Sequence, residues 1–361
     1  MKKFLALLMV VICAMTILSA CSYEEFMEDF REKDETTAED ETEKEPVDVT
    51  VKDKYAIVTQ KAGDPYFTLV AQAFKAVCVD ADKECIVREP EKGLSSEQTT
   101  IVQELIDMKV SAIAISPIDP KAIRSTLKKA MKAGIHVCSY DTMARPSSRE
   151  LHISGSETEN VAATLMDAIL DLTGGSGAWA VLSTRPTAYN QNQWIKSMKE
   201  LGEGEEKYGG LVYAQTAYCD ESTQKAYDQT VSLLSLSPDI KVIIALSTTA
   251  VEGAAQAVID QEADVLVTGI GLPSKLEKYI GNDRPCPYMF MWSPSTLGKV
   301  TAYVSIGLAT GKITGEKDEQ FRIGGEDVYQ VIESPDEATE VIVDYPHHYD
   351  AGNIADLADD A

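Results

Sequence analysis

The stretch AIAISPIDPKAIRSTLKKAMKAGIHVC, Ala112 to Cys138, holds one complete strand–helix–strand unit. Ala112-Ile-Ala-Ile115 is a short continuous apolar run, the pattern of a strand covered on both faces. Asp119 stands before Pro120, an N-cap ahead of a proline at the first helical position, where the missing N–H costs nothing. The helix so predicted runs to Ala133, and Gly134 follows where a left-handed residue ends a helix most easily. Ile135-His-Val-Cys138 then resumes the apolar pattern. Strand, helix and strand in this order form a βαβ unit, so the fold class is α/β around a parallel sheet.

The same alternation extends in both directions. Further strands are predicted at Tyr55-Ala-Ile-Val-Thr59, Cys85-Ile-Val87, Ala178-Trp-Ala-Val-Leu182, Leu211-Val-Tyr213, Val242-Ile-Ile-Ala-Leu246, Val265-Leu-Val267 and Tyr288-Met-Phe-Met291. Helical patterns fill the intervals: 67–79, 96–108, 157–172, 192–201, 222–236, 249–261 and 295–310. Four units precede an interruption at Met143-Ala-Arg-Pro-Ser-Ser-Arg149, after which the alternation restarts. A second break falls at Gly269-Ile-Gly-Leu-Pro273, and a third near Gly324-Gly325 before terminal strands between Val328 and Val343. This predicts two doubly wound, Rossmann-like lobes joined by a multi-strand hinge. The expected ranges are 51–144 with 271–325 for the first lobe and 145–270 with 326–345 for the second, then an acidic tail, 346–361.

The N-terminus has a different character. Lys2 and Lys3 precede an apolar run from Phe4 to Ile17, and Leu18-Ser-Ala-Cys21 closes it. The run is too short to span a bilayer comfortably and reads as an export signal, residues 1–20. It resembles bacterial lipoprotein signals, which implies lipidation of Cys21 and an extracytoplasmic protein anchored to the cell membrane. Tyr23 to Glu45 carries twelve acidic and three basic residues and little that can pack, so 21–50 is predicted to be a disordered acidic tether. The chain carries a formal −25, which becomes −27 once Lys2 and Lys3 are removed and leaves −18 on the body beyond the tether. A body this acidic excludes nucleic acid as a partner. Cys78, Cys85, Cys138, Cys219 and Cys286 have no CxxC spacing, so no zinc site is predicted; Cys78 and Cys85 are read either as a bridge or as buried free thiols. His136 and His152 fall in apolar strand contexts and read as structural, while His347-His348 alone make no metal site.

In open parallel sheets the ligand lies beyond the carboxyl ends of the strands. Those positions hold Gln60, Lys61, Tyr66 and Phe67; Ser116-Pro117; Tyr140 and Asp141; Ser183, Thr184 and Arg185; Asn190-Gln-Asn-Gln-Trp194; Ser247 and Thr248; and Trp292 with Ser293. Amides, a carboxylate and a cation fix hydroxyls in direction, and aromatic faces cover the C–H side of a sugar-like ring. No GxSxG elbow, GxxxxGK[ST] loop, GxGxxG after a strand or HExxH helix is present, so no catalytic chemistry and no cofactor is indicated.

The signal, the two-lobed alternation and Asn190-Gln-Asn-Gln-Trp194 together resemble the sugar-type (type I) periplasmic binding proteins of ABC importers, nearest the autoinducer-2 and rhamnose binding group. The likeness runs from Tyr55 to about Val343 and is strongest at Lys61 with Tyr66-Phe67, Ser139-Tyr-Asp-Thr142, the Asn190 motif and Met291-Trp-Ser-Pro-Ser-Thr-Leu-Gly-Lys299. The resemblance implies ligand contacts from Lys61, Asp141 and Gln191. It also marks departures: Asn190 and Ser293 replace carboxylates, and Leu246 and Thr248 stand where proline and alanine are usual. The expected ligand-binding set is therefore Lys61, Tyr66, Phe67, Asp141, Asn190, Gln191, Thr248, Trp292 and Ser293. The implied function is capture of a small sugar-like ligand (monosaccharide, polyol or autoinducer-2-like) by a monomer and its delivery to an ABC permease. A sensory lipoprotein signalling to a membrane receptor or histidine kinase is the alternative, and an exported sugar-modifying enzyme the third reading.

Overall fold

The structure, a computed structural model, describes residues 54–323 and 327–357. The export signal, Cys21, the acidic tether and the expected crossing at Gly324-Gly325 lie outside the described residues. The first series of elements is β1 (Lys54–Val58), α1 (Pro65–Asp80), β2 (Glu84–Arg88), α2 (Ser95–Asp107), β3 (Ala112–Ile115), α3 (Pro120–Lys132), β4 (His136–Tyr140) and β5 (Leu151–Ser154). The second is α4 (Thr158–Leu172), β6 (Gly177–Ser183), α5 (Tyr189–Gly204), β7 (Leu211–Tyr218), α6 (Thr223–Leu236), β8 (Ile240–Ala245), α7 (Thr248–Asp260), β9 (Leu266–Gly269), α8 (Pro273–Leu276) and β10 (Tyr288–Met291). The chain ends with α9 (Pro294–Ala309), β11 (Gln320–Ile323), β12 (Asp327–Gln330), β13 (Ile332–Glu333), β14 (Thr339–Ile342), β15 (His347–Asp350) and α10 (Ile354–Leu357).

One sheet has the order β13-β14-β5-β4-β3-β1-β2 and is parallel except for β13. The other, β7-β6-β8-β9, is parallel throughout, and β10 continues it through a bridge between Ile270 and Phe290. The apolar strands are covered on both faces, as their composition requires. Tyr55 and Ile57 enter one core layer with Ala112 and Ala114, while Ala56 and Val58 enter the opposite layer with Ile113 and Ile115. The cap at Asp119 forms as read: its Oδ1 accepts from Lys121 N at 2.9 Å and Ala122 N at 3.1 Å, and Gly134 is left-handed with φ 75°.

The sheet pairings divide the chain differently from the expected ranges. β5 pairs with β4 and β14 in the first sheet, so the Met143–Arg149 interruption connects two neighbours within one lobe. The first crossing to the second lobe instead follows Ser154. Gly269-Ile-Gly271 is also not a crossing. A side chain at Gly269 would lie 1.8 Å from Ala245 O, so this glycine lets adjacent strand ends touch, and the chain continues to β10 on the same lobe. The second crossing falls between β10 and α9, which packs on α1 in the first lobe's core. The terminal strands join the first sheet through β14, and residues expected to form an acidic tail provide β15, which pairs with β10. The hinge therefore has three connections, near 155–157, 292–293 and 343–346.

All five described cysteines are free, which decides the Cys78–Cys85 alternatives for thiols. These two are hydrogen-bonded to each other, which raises Cys78 and lowers Cys85. No cluster of three metal-ligating side chains exists among the described residues, and no described helix is long and apolar enough to cross a membrane.

Candidate functional site

The carboxyl ends of both parallel sheets face a cavity between the lobes, about 680 Å³ including its open mouth. In the first lobe, Asp64 caps α1, its Oδ1 accepting from Tyr66 N at 2.9 Å and Phe67 N at 3.1 Å. This cap turns the helix start inward, and Tyr66 and Phe67 line the cavity in a T-shaped pair with centroids 5.2 Å apart. Asp141 follows β4 in a left-handed conformation, φ 58°, which aims its carboxylate at the same space.

Asp141 is the centre of a polar network. Its Oδ1 accepts from the Tyr66 hydroxyl at 3.2 Å, and its Oδ2 from Ser116 Oγ at 3.1 Å and Thr142 Oγ1 at 3.3 Å. Behind these, Gln60 Nε2 donates to Ser116 Oγ at 2.9 Å and Thr142 Oγ1 at 3.0 Å. The Trp292 indole N–H donates to the Tyr66 hydroxyl at 3.0 Å. Burial pushes the Asp141 carboxyl up to about 6, against the three hydroxyl bonds that favour its charge.

The second lobe supplies the facing wall. Gln191 Oε1 accepts from Ser183 Oγ at 2.7 Å, Thr184 N at 2.9 Å and Thr184 Oγ1 at 3.0 Å, while its Nε2 donates to Leu246 O at 3.1 Å. Its amide thus ties the ends of β6 and β8 together, a positioning task. Asn190 Oδ1 accepts from Gln191 N at 2.9 Å, and its amide nitrogen has no partner among the described residues. The Thr248 hydroxyl holds Leu272 N at 3.0 Å. Trp194 and Trp292 meet edge to face at 5.7 Å and form the apolar floor. The lobes touch across the mouth, where Lys61 Nζ donates to Glu221 O at 3.4 Å and Thr187 Oγ1 to Ile118 O at 3.3 Å.

Of the expected set, Tyr66, Phe67, Asp141, Asn190, Gln191, Thr248 and Trp292 line this cavity. Lys61 and Ser293 do not. Lys61 is spent at the rim on Glu221, and Ser293 sits behind Trp292 as the N-cap of α9, accepting from Thr296 N at 3.1 Å and donating its own N–H to Asp344 at 2.8 Å. Two carboxylates outside the expected set, Asp64 and Glu221, also line the cavity. Asp64 was signalled by its place before Pro65 at a strand end, the same capping pattern as Asp119-Pro120. Glu221 had no signal: it lies among Cys219-Asp-Glu-Ser222, which in an acidic chain reads as a solvated turn. Burial raises both, Glu221 to about 7, while Arg185 works in the opposite sense on each.

Two lobes, each built on a parallel sheet and joined by three chain crossings around a polar and aromatic cavity, define a protein built to enclose a small solute. The chain belongs to the periplasmic binding protein family: residues 55–313 match its periplasmic binding protein domain. Within that family it is a type I, sugar-type solute-binding protein of ABC importers, and thus a binding protein and not an enzyme. It is similar to an ABC transporter solute binding protein from Clostridium phytofermentas with bound L-rhamnose, at 38% identity and TM-score 0.82 over 85% of this chain and 98% of that one. It is 26% identical to the ribose import binding protein of Bacillus subtilis over 67% of this chain and 73% of that protein. LsrB from Clostridium saccharobutylicum in complex with AI-2 shares the fold, with TM-score 0.76 at 18% identity over 84% of this chain and 99% of that one.

Proposed function

We propose that the protein captures a small neutral sugar between its lobes and delivers it to an ABC permease, working outside the cytoplasm from a lipid anchor on Cys21. One observation carries the ligand class: hydrogen-bonding groups from both lobes converge on one space whose remaining walls are aromatic and aliphatic. Asp141 would accept hydroxyls from the first lobe and Asn190 from the second would donate, while Phe67, Trp194 and Trp292 cover C–H faces. The bound L-rhamnose of the 38% identical structure supports the same class. A ligand that contacts both walls stabilises the closed arrangement over the open one, so binding energy closes the hinge. The short apolar leader and the acidic segment 21–50 support an anchored body held off the membrane, at high effective concentration beside its permease.

Titration calorimetry of the mature protein with L-rhamnose, D-ribose and other neutral monosaccharides tests the ligand class. Saturable binding of at least one is expected, and failure of all would overturn it. Labelling cells with an alkyne fatty acid tests the anchor: the label should appear in the native protein and vanish in Cys21→Ser.

A further inference from the structure

We propose that Glu221 is the specificity-determining acceptor of the second lobe, selecting ligands that present hydroxyl donors at that corner and rejecting those that present a carboxylate or phosphate. The inference rests on the sugar reading and refines it. Glu221 lines the cavity from the turn between β7 and α6. Its Oε2 accepts from Thr249 Oγ1 at 3.1 Å, and its Oε1 accepts from no described residue. The turn is built to present it: Asp220 and Glu221 are consecutive non-glycine residues in the left-handed region, φ 50° and 54°. Lys61 fixes the Glu221 carbonyl from the opposite lobe, so the carboxylate is set in place as the lobes meet.

Charge decides what it accepts. Asp64, Asp141 and Glu221 face the cavity with Arg185 as the one lining cation. A ligand carboxylate or phosphate would add like charge to a poorly solvated site, whereas hydroxyls give the spare oxygen the donor it lacks. Burial has pushed Glu221 up to about 7, with Asp64 and Asp141 adding to the rise and Arg185 and Thr249 opposing it. Hydroxyl donors favour its ionised form, so this contact strengthens as pH rises through about 7 and weakens as pH falls below it.

The test is calorimetry on the intact mature protein and on Glu221→Gln, with neutral monosaccharides including L-rhamnose and with D-galacturonate, between pH 6 and 8. Ligand-free thermal unfolding reports whether each variant is folded. The native protein should bind a neutral sugar and discriminate against galacturonate. Glu221→Gln should lose about 10-fold or more in neutral-sugar affinity, narrow the discrimination, and flatten the pH profile, with unfolding unchanged or raised. Thr249→Val, which removes the bond that aims the carboxylate, should give a smaller loss in the same direction. Native affinity, discrimination and pH profile in Glu221→Gln, with Asp141→Asn impaired, overturn this inference alone. Absence of neutral-sugar binding in the native protein overturns the sugar reading and this inference together.

Discussion

The Trp292 indole, carried by the hinge between β10 and α9, donates its N–H to the Tyr66 hydroxyl on α1 at 3.0 Å. Tyr66 in turn donates its O–H to Asp141 at 3.2 Å, so the hinge, the first helix and the acidic acceptor form one hydrogen-bonded line. Removing the middle group breaks both bonds. Tyr66→Phe should leave the indole N–H unpaired and Asp141 with one donor fewer, at about 1–3 kcal/mol, which calorimetry would read as roughly a 10-fold or greater loss of sugar affinity. Unchanged affinity would show that this line does not support the ligand.

Gln191 is predicted to behave differently. Because its amide ties Ser183, Thr184 and Leu246, Gln191→Ala should lower the ligand-free melting temperature by several degrees, corresponding to about 1–3 kcal/mol, besides weakening binding. Asp141→Asn, by contrast, should weaken binding with little loss of stability. Equal stability effects in the two variants would contradict this separation of positioning from contact.

Glu340 on β14 gives a pH dependence independent of ligand. The residue is 6% exposed with no hydrogen-bond partner among the described residues, and burial raises it from 4.5 to about 8. Arg149 works against the rise, but it also pairs with Asp336 at 2.7 Å; Asp336, Glu159 and Glu157 push Glu340 further up. A carboxyl harder to ionise folded than unfolded keeps its proton in the native state, so stability falls as pH rises from about 4.5 to about 8 and then levels. Glu340→Gln should therefore raise the melting temperature at pH 8, by the equivalent of about 2 kcal/mol, and change it little at pH 5. Equal shifts at both pH values would contradict the assignment.

Gly298 tests the packing that returns α9 to the first lobe. A side chain there would meet Val70 O at 2.2 Å, so Gly298→Ala must push α9 off α1, at about 1–3 kcal/mol by thermal unfolding. A native melting temperature would mean that the helices have room to spare.

What the sequence revealed and what it hid follow from the range of the interactions involved. The βαβ alternation is local, written in strand runs such as Ala112-Ile-Ala-Ile115 and in caps such as Asp119-Pro120, and it appears in the structure as read. Lobe membership is not local. Leu151-His-Ile-Ser154 follows a Pro-Ser-Ser turn and is short, and only pairing with β4 and β14 shows that it belongs to the first sheet. Trp292 and Tyr66 were legible because aromatic residues at strand ends stand out. Ser293, at a position where the resemblance implied a ligand group, proved to be a helix cap. Glu221 was hidden because its value lies in two left-handed residues that turn an ordinary acidic loop inward.

The central claim, that the lobes enclose one neutral sugar held by Asp141, is tested most directly by native mass spectrometry of the protein purified from its own host. The account predicts a mass increment equal to one neutral monosaccharide, lost in Asp141→Ala while the fold is kept. An absent increment, a charged or apolar adduct, or a sugar retained undiminished by Asp141→Ala would contradict it.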